Sequence, residues 1–223
     1  VKVVYVLLGL ALLIIPKEKF KKPSHKLLLV AAVVLVGGLL IMATRLSSVV
    51  GVATEGFIEK ETYSLDFLIS HPRKLISIGV ETVITMSTYY LETMIGQHLG
   101  WLEIGIPQLI IYAFFSLMVI ATIRTENEKK VLKAGQRLWI FIVVAMTTFC
   151  IGLALCLDWT PVTSLWVEGI QGRYLTPMLP MLMLLFKNNQ IEMKQSMSKY
   201  LAVAVYLMQA LAVLSVALVI GAR

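Results

Sequence analysis

The sequence predicts an all-α, polytopic membrane helical bundle of about six spans plus one interfacial or re-entrant helix. Three observations lead there. Hydrophobic residues make up 58% of the chain and charged residues 15%, with a mean hydropathy of +0.84; a soluble domain carries roughly a quarter charged residues. Four runs, 27–44, 108–123, 138–157 and 200–221, contain no charged side chain. They lie near or above the roughly 17 residues that span a bilayer, and with no polar face they do not read as core helices of a soluble domain. Finally, thirteen of the twenty Lys and Arg fall in three short stretches, around Lys17–Lys26, Arg124–Arg137 and Lys187–Lys199. Basic loops alternating with apolar spans mark the cytoplasmic side.

Taken in order, residues 3–15 are too short to cross about 30 Å at 1.5 Å per residue. With Val1 already inside an apolar run and no initiator Met, basic n-region or cleavage site, they read as a helix cut at its start. The chain is thus expected to be the C-terminal part of a longer protein, a single membrane domain over 1–223. After Pro16 and the first basic loop, 26–44 crosses outward. The extracytoplasmic segment, 45–107, carries the acids Glu55, Glu59, Glu61 and Asp66.

Parity requires that one of the two apolar segments before the second basic loop does not span. The weaker is 75–95, which holds Glu81 and Glu92. Ser77, Glu81, Thr85, Thr88 and Glu92 form one polar stripe at helical spacing. Such a helix lies in the interface or lines a polar cavity, opened by His71-Pro72 and closed by Gly96-Gln-His-Leu-Gly-Trp101. Glu81, Glu92 and Trp101 are the expected cavity-lining residues, with Trp101 at headgroup depth. Pro107 suits the first turn of the span after it. Residues 138–157 return outward, 173–186 go inward with a first turn kinked by Pro177 and Pro180, and 200–221 end outside.

The net charge of +7 does not indicate nucleic acid: no aromatic-interleaved basic stripe accompanies it, and attraction to anionic lipid heads accounts for the loops. Cys150 and Cys156 share one apolar helix on different faces and read as reduced. His25, His71 and His98 show no metal-ligand spacing, and no phosphate loop, nucleophile elbow or other cofactor motif is present. Glu81 and Glu92, eleven residues apart, would be roughly 16 Å apart on a helix, too far for one catalytic pair.

The chemistry concentrates in Trp166-Val-Glu-Gly-Ile-Gln-Gly-Arg-Tyr-Leu-Thr-Pro-Met-Leu-Pro180. Arg173 stands at the mouth of a membrane helix on the side where basic residues are scarce. A guanidinium there is costly without an anionic partner. Two readings stay open. In one, Arg173 snorkels to lipid phosphate or pairs with Glu168. In the other it clamps a phosphate or pyrophosphate bidentately. Gly172 would then let backbone approach the ligand, Gln171 and Tyr174 would add hydrogen bonds, and the following backbone N–H groups would point outward at a helix N-terminus.

The segment Gly169-Ile-Gln-Gly-Arg-Tyr-Leu-Thr-Pro-Met-Leu-Pro180 resembles the G-x-Q-G-R-Y-x-x-P-x-x-P signature of a bacterial polytopic membrane family known as domain of unknown function 2142. Gly100-Trp101-Leu102 before Pro107 is similar to that family's Leu-Gly-Trp-Leu stretch, and the resemblance covers about 71–186. It implies kinship with C-type integral-membrane glycosyltransferases, which use polyprenyl-phosphate sugars on the outer side of the membrane. By that resemblance, the chain is expected in the bacterial cytoplasmic (inner) membrane, multi-pass, transferring sugar from a polyprenyl-phosphate carrier in cell-envelope polysaccharide synthesis. Gln171, Arg173 and Tyr174 would face the lipid phosphate. The type's catalytic acid lies in an N-terminal outer loop, so the catalytic residue is expected in the missing N-terminal half, and this part alone is expected to be inactive. The alternatives are a transporter or flippase component for lipid-linked sugars and a non-catalytic assembly partner.

Overall fold

The computed structural model describes residues 2–50, 61–97, 104–126 and 132–221. The chain is helical almost throughout. After a 3₁₀ helix over Lys2–Ile14 come α1 (Pro23–Val50), α2 (Leu65–Ser70), α3 (Pro72–Ile95), α4 (Gln108–Ala121), α5 (Ala134–Asp158), α6 (Leu179–Phe186) and α7 (Gln195–Gly221). Two short strands, β1 (Ile123–Thr125) and β2 (Asn188–Met193), pair in parallel. The chain divides into two compact units, Val1–Thr85 with Leu138–Ile170, and Met86–Arg137 with Gln171–Arg223; α3 and α5 contribute to both.

In the first unit the Lys2–Ile14 helix packs on α1 by small-against-branched contacts, Gly9 facing Val33 and Gly37 facing Val6. A Cβ at either glycine would collide with the opposite valine, so these are close helix approaches of the kind small residues permit. Trp139 Nε1 donates to Leu10 O at 3.0 Å. Along α5, Ile140, Val143, Thr147, Ile151 and Leu155 are buried at three- and four-residue spacing, one face of a helix. Leu138, Phe141, Ile142 and Phe149 are exposed on its other sides. A helix apolar all round, with one face packed and the rest bare, suits lipid as its solvent.

α2 opens on Ser64, whose Oγ accepts from Phe67 N at 3.2 Å, an ordinary N-cap. It ends at His71, and α3 starts at Pro72, three residues before the expected helix over 75–95. The expected polar stripe is present: Ser77, Glu81, Thr85 and Thr88 are exposed and Glu92 is half-buried. The packing face is instead Ile78, Thr82, Tyr90, Thr93 and Met94, so two threonines rather than aliphatic residues carry much of the contact. Gly96, at φ +123°, follows the helix end, and its N–H returns to Glu92 O.

In the second unit α4 begins directly after Pro107 and packs on α7 and α6. Arg124 of β1 forms an ion pair with Glu192 of β2. This strand pair joins two of the basic stretches, where the sequence shows only loops. Arg137 closes the end of α6, donating to Leu185 O at 3.3 Å and to Lys187 O at 2.6 Å.

Among the described residues, two helices are long and apolar enough to cross a membrane, Ala134–Asp158 and Met197–Gly221. The remaining apolar helical stretches are shorter. The expected inward crossing over 173–186 resolves into two 3₁₀ turns, Gly172–Tyr174 and Thr176–Met178, and the eight-residue α6. At 1.5 Å per residue α6 covers only about 12 Å. Pro177 and Pro180 supply the reason: each lacks an N–H, so a continuous hydrogen-bonded helix through this stretch is interrupted.

Candidate functional site

The residues singled out by the sequence divide between the two units. In the first unit, Thr160 is fully buried; its hydroxyl donates to Leu155 O at 3.0 Å and accepts from Glu168 N at 3.1 Å. Tyr63 Oη donates to Val162 O at 2.8 Å, and Val162 N donates to Glu61 O. Val167 N donates to Thr82 Oγ1 at 2.8 Å. The stretch before the signature is thereby pinned through its backbone, leaving the Glu168 side chain half-buried. Gly169 has φ +79°, and a Cβ there would lie 2.8 Å from Trp159 Cδ1. Both the backbone angle and the indole face require glycine.

In the second unit Gln171 is extended, at φ −124° and ψ 144°, and Gly172 to Tyr174 wind into a 3₁₀ turn. Gly172 N donates to Thr93 Oγ1 at 2.8 Å, while that hydroxyl donates to Tyr89 O at 2.6 Å. Thr176 Oγ1 donates to Met94 O at 3.2 Å. A Cβ on Gly172 would lie 2.5 Å from Thr93 Oγ1 and closer still to Tyr90 O and Met94 N. Gly172 is thus in close backbone-to-backbone contact with α3. The N–H groups after Arg173 are also committed: Tyr174 N donates to Gln171 O at 2.9 Å and Leu175 N to Gly172 O at 2.8 Å. The expected outward-pointing helix N-terminus is absent here, because tight 3₁₀ turns consume those donors.

Arg173 stands out by contrast. Its side chain is exposed, and its guanidinium lies 5.8 Å from the Tyr174 ring centroid, within cation–π range. Among the described residues it makes no hydrogen bond or ion pair. Gln171 Oε1 and, on α3, Tyr90 Oη are buried polar atoms with no hydrogen-bond partner among the described residues. Buried polar groups nearly always have one.

The acids of α3 part company. Glu92 Oε1 accepts from Gln108 Nε2 and Tyr112 Oη, each at 3.3 Å, tying α3 to α4. Glu81 is exposed in the first unit. Trp101 and His98 lie outside the described residues. No group of three or more His, Cys, Asp or Glu among the described residues could hold a metal ion, and both cysteines are free thiols.

Sequence reasoning missed Thr82, Thr93 and Thr160. Each accepts a backbone N–H from the 167–172 stretch while donating to a helix carbonyl. The available signal was the eleven-residue spacing of Thr82 and Thr93, three helical turns, off the Glu stripe.

Over residues 1–182 the sequence matches the family described as "Predicted membrane protein (DUF2142)". No curated protein and no solved structure matches it.

Proposed function

Because the chain belongs to this membrane-protein family, we propose that Arg173 binds the phosphate of a lipid-linked substrate, and that the protein is glycosyltransferase-like, acting on a polyprenyl-phosphate sugar at the outer face of a bacterial inner membrane. The supporting observation is the state of Arg173. Its turn is pinned to α3 by the Gly172–Thr93 and Thr176–Met94 bonds, yet its guanidinium is exposed and, among the described residues, meets an aromatic ring alone. An always-charged fork on a held backbone, with no anionic partner among the described residues, is placed to take a phosphate bidentately. The Tyr174 ring, 5.8 Å away, adds a weak cation–π attraction. Gln171 Oε1, buried beside Arg173 in sequence and without a hydrogen-bond partner among the described residues, is an acceptor that a rearranged side chain could offer to a substrate hydroxyl. Gly172 and Glu168 serve this site through the backbone, by holding the stretch in place.

Native mass spectrometry of the purified protein, for co-purified polyprenyl phosphate, tests the reading. Arg173→Ala is expected to cut retention at least about tenfold, roughly 1.4 kcal/mol, and Arg173→Lys to recover it only in part, since a point charge does not replace the fork. Wild-type retention in Arg173→Ala would sink the phosphate role. A double-mutant cycle showing lipid-independent coupling of Arg173 to Glu168 would favour the assembly-partner alternative. Lipid bound without any transfer to an acceptor would leave the flippase alternative standing.

A further inference from the structure

The midpoint of α7 carries a polar side chain that its own unit leaves unanswered. Gln209 lies twelve residues from either end of the apolar span Met197–Gly221, about 18 Å at 1.5 Å per residue. The hydrocarbon of one leaflet is roughly 15 Å deep, so this amide falls near the middle of the bilayer. A side chain of its length reaches neither headgroups nor water from there. Gln209 is exposed, and among the described residues its amide makes no hydrogen bond. The side chains beside it, Ile110, Ile111 and Phe114 of α4 with Ala212 and Val213 of α7, are apolar and supply none. An amide left unpaired in hydrocarbon is unfavourable, and membrane helices that carry one associate through it.

The residues around Gln209 supply the rest of a seam. Ala202, Tyr206, Gln209, Val213, Val216 and Ile220 follow one another at alternating steps of four and three. That spacing keeps one stripe facing a partner helix in a left-handed crossing. All six are exposed except Val216, which is half-buried. α7 packs on α4, and the stripe runs along the edge of that contact, where Gln209 and Val213 border an open groove. We propose that this stripe is a dimer interface between two copies of this chain, with the two Gln209 amides hydrogen-bonded to each other. Copies inserted in the same direction pair about a two-fold axis along the membrane normal. Their helices run parallel, and each seam residue meets its own counterpart. The polar residue of such a seam must therefore complement itself. A carboxamide does so, having one carbonyl acceptor and two N–H donors, and two of them exchange N–H···O bonds. A single polar position in an apolar heptad seam also fixes its register. The inference is independent of the phosphate reading of Arg173.

The test uses the purified protein in phosphatidylcholine vesicles, labelled at the amino terminus with donor or acceptor fluorophore and diluted in lipid, with energy transfer reporting the dimer fraction. Gln209→Leu is expected to weaken dimerisation about tenfold, and Gln209→Asn, which keeps the amide, to retain most of it. Leucine suits a lipid-facing span, so the comparison does not hinge on folding. Oxidative cross-linking locates the seam. Tyr206→Cys and Val213→Cys are expected to give disulfide-linked dimers, and Leu211→Cys and Leu218→Cys, on the opposite face of α7, are not. The unsubstituted protein, with Cys150 and Cys156, is the blank. Wild-type association in Gln209→Leu would overturn the role of the amide. Cross-linking at 211 and 218 as strong as at 206 and 213 would overturn the seam. A monomer at every protein-to-lipid ratio would overturn the second copy and give Gln209 to a helix of different sequence.

Discussion

Replacing Gly172 by alanine tests the contact that holds the signature against α3. The new Cβ would sit 2.5 Å from Thr93 Oγ1, about 1 Å inside ordinary contact at 3.4 Å, and closer to two backbone atoms of α3. Backbone cannot swing aside as a side chain can, so the turn and helix must part by about 1 Å. That lengthens the 2.8 Å bond from Gly172 N to Thr93 Oγ1 beyond hydrogen-bonding range. Overpacking costs about 1–3 kcal/mol, and stranding a buried N–H costs about 1–3 kcal/mol more. A loss of about 3 kcal/mol is expected, or about 6–12 °C in Tm for a chain of this size. Gly79→Ala is the control: it lies on the same helix with nothing within 4 Å of its Cβ position, and alanine is expected to gain up to about 1 kcal/mol there. Both would be followed by tryptophan fluorescence during thermal unfolding in detergent. If Gly172→Ala melts within about 2 °C of wild type, the packing explanation of this glycine is wrong.

Two further substitutions test the supports on either side. Gly169→Ala is expected to lose about 1–3 kcal/mol, since a left-handed backbone angle and the Trp159 indole both oppose a Cβ. Gly169→Asn, which tolerates the angle but keeps the Cβ, should rescue little; full rescue by Asn would mean that the indole contact contributes nothing. Arg137→Gln is expected to cost about 1.5–3 kcal/mol by releasing Leu185 O and Lys187 O, and to speed hydrogen exchange in α6; unchanged protection there would contradict a capping role.

Local punctuation was readable in the sequence. His71-Pro72 and Gly96 bracket α3, and Pro107 stands directly before α4, because proline and glycine act on the backbone where they occur. The all-apolar α5 was legible for the same kind of reason: its uncharged length is a property of the segment itself. What stayed hidden depends on distant partners. Gly172 has the look of a ligand-approach glycine, and only the position of Tyr90 and Met94, some eighty residues upstream, shows what it approaches. The β1–β2 pair joins stretches more than sixty residues apart whose composition reads as basic loop, and register between such strands is a tertiary outcome. The break of 173–186 into 3₁₀ turns and a short α6 was half legible: Pro177 and Pro180 announce an irregular start, but not that two bonds to α3 would fix it.

The signature therefore divides by function in a way its spelling does not suggest. Gly169 accommodates an indole, Gly172 accommodates α3, and Met178 is buried. These positions are accounted for by packing. Arg173 is not: removing its guanidinium would open no cavity and leave no carbonyl or carboxylate unpaired among the described residues. The framework around it holds the backbone of an otherwise exposed cation through bonds made at residues 172 and 176. A merely snorkelling arginine needs no such support, since a long flexible stem reaches the headgroups from any nearby turn. A bidentate phosphate site does need it, because a fork that must meet two oxygens at once loses affinity when its anchor wanders. On this argument, loosening the framework with Gly172→Ala should weaken phosphate-lipid retention even at temperatures where the protein remains folded. Loss of stability without any loss of retention would separate the packing of the signature from the role of its arginine.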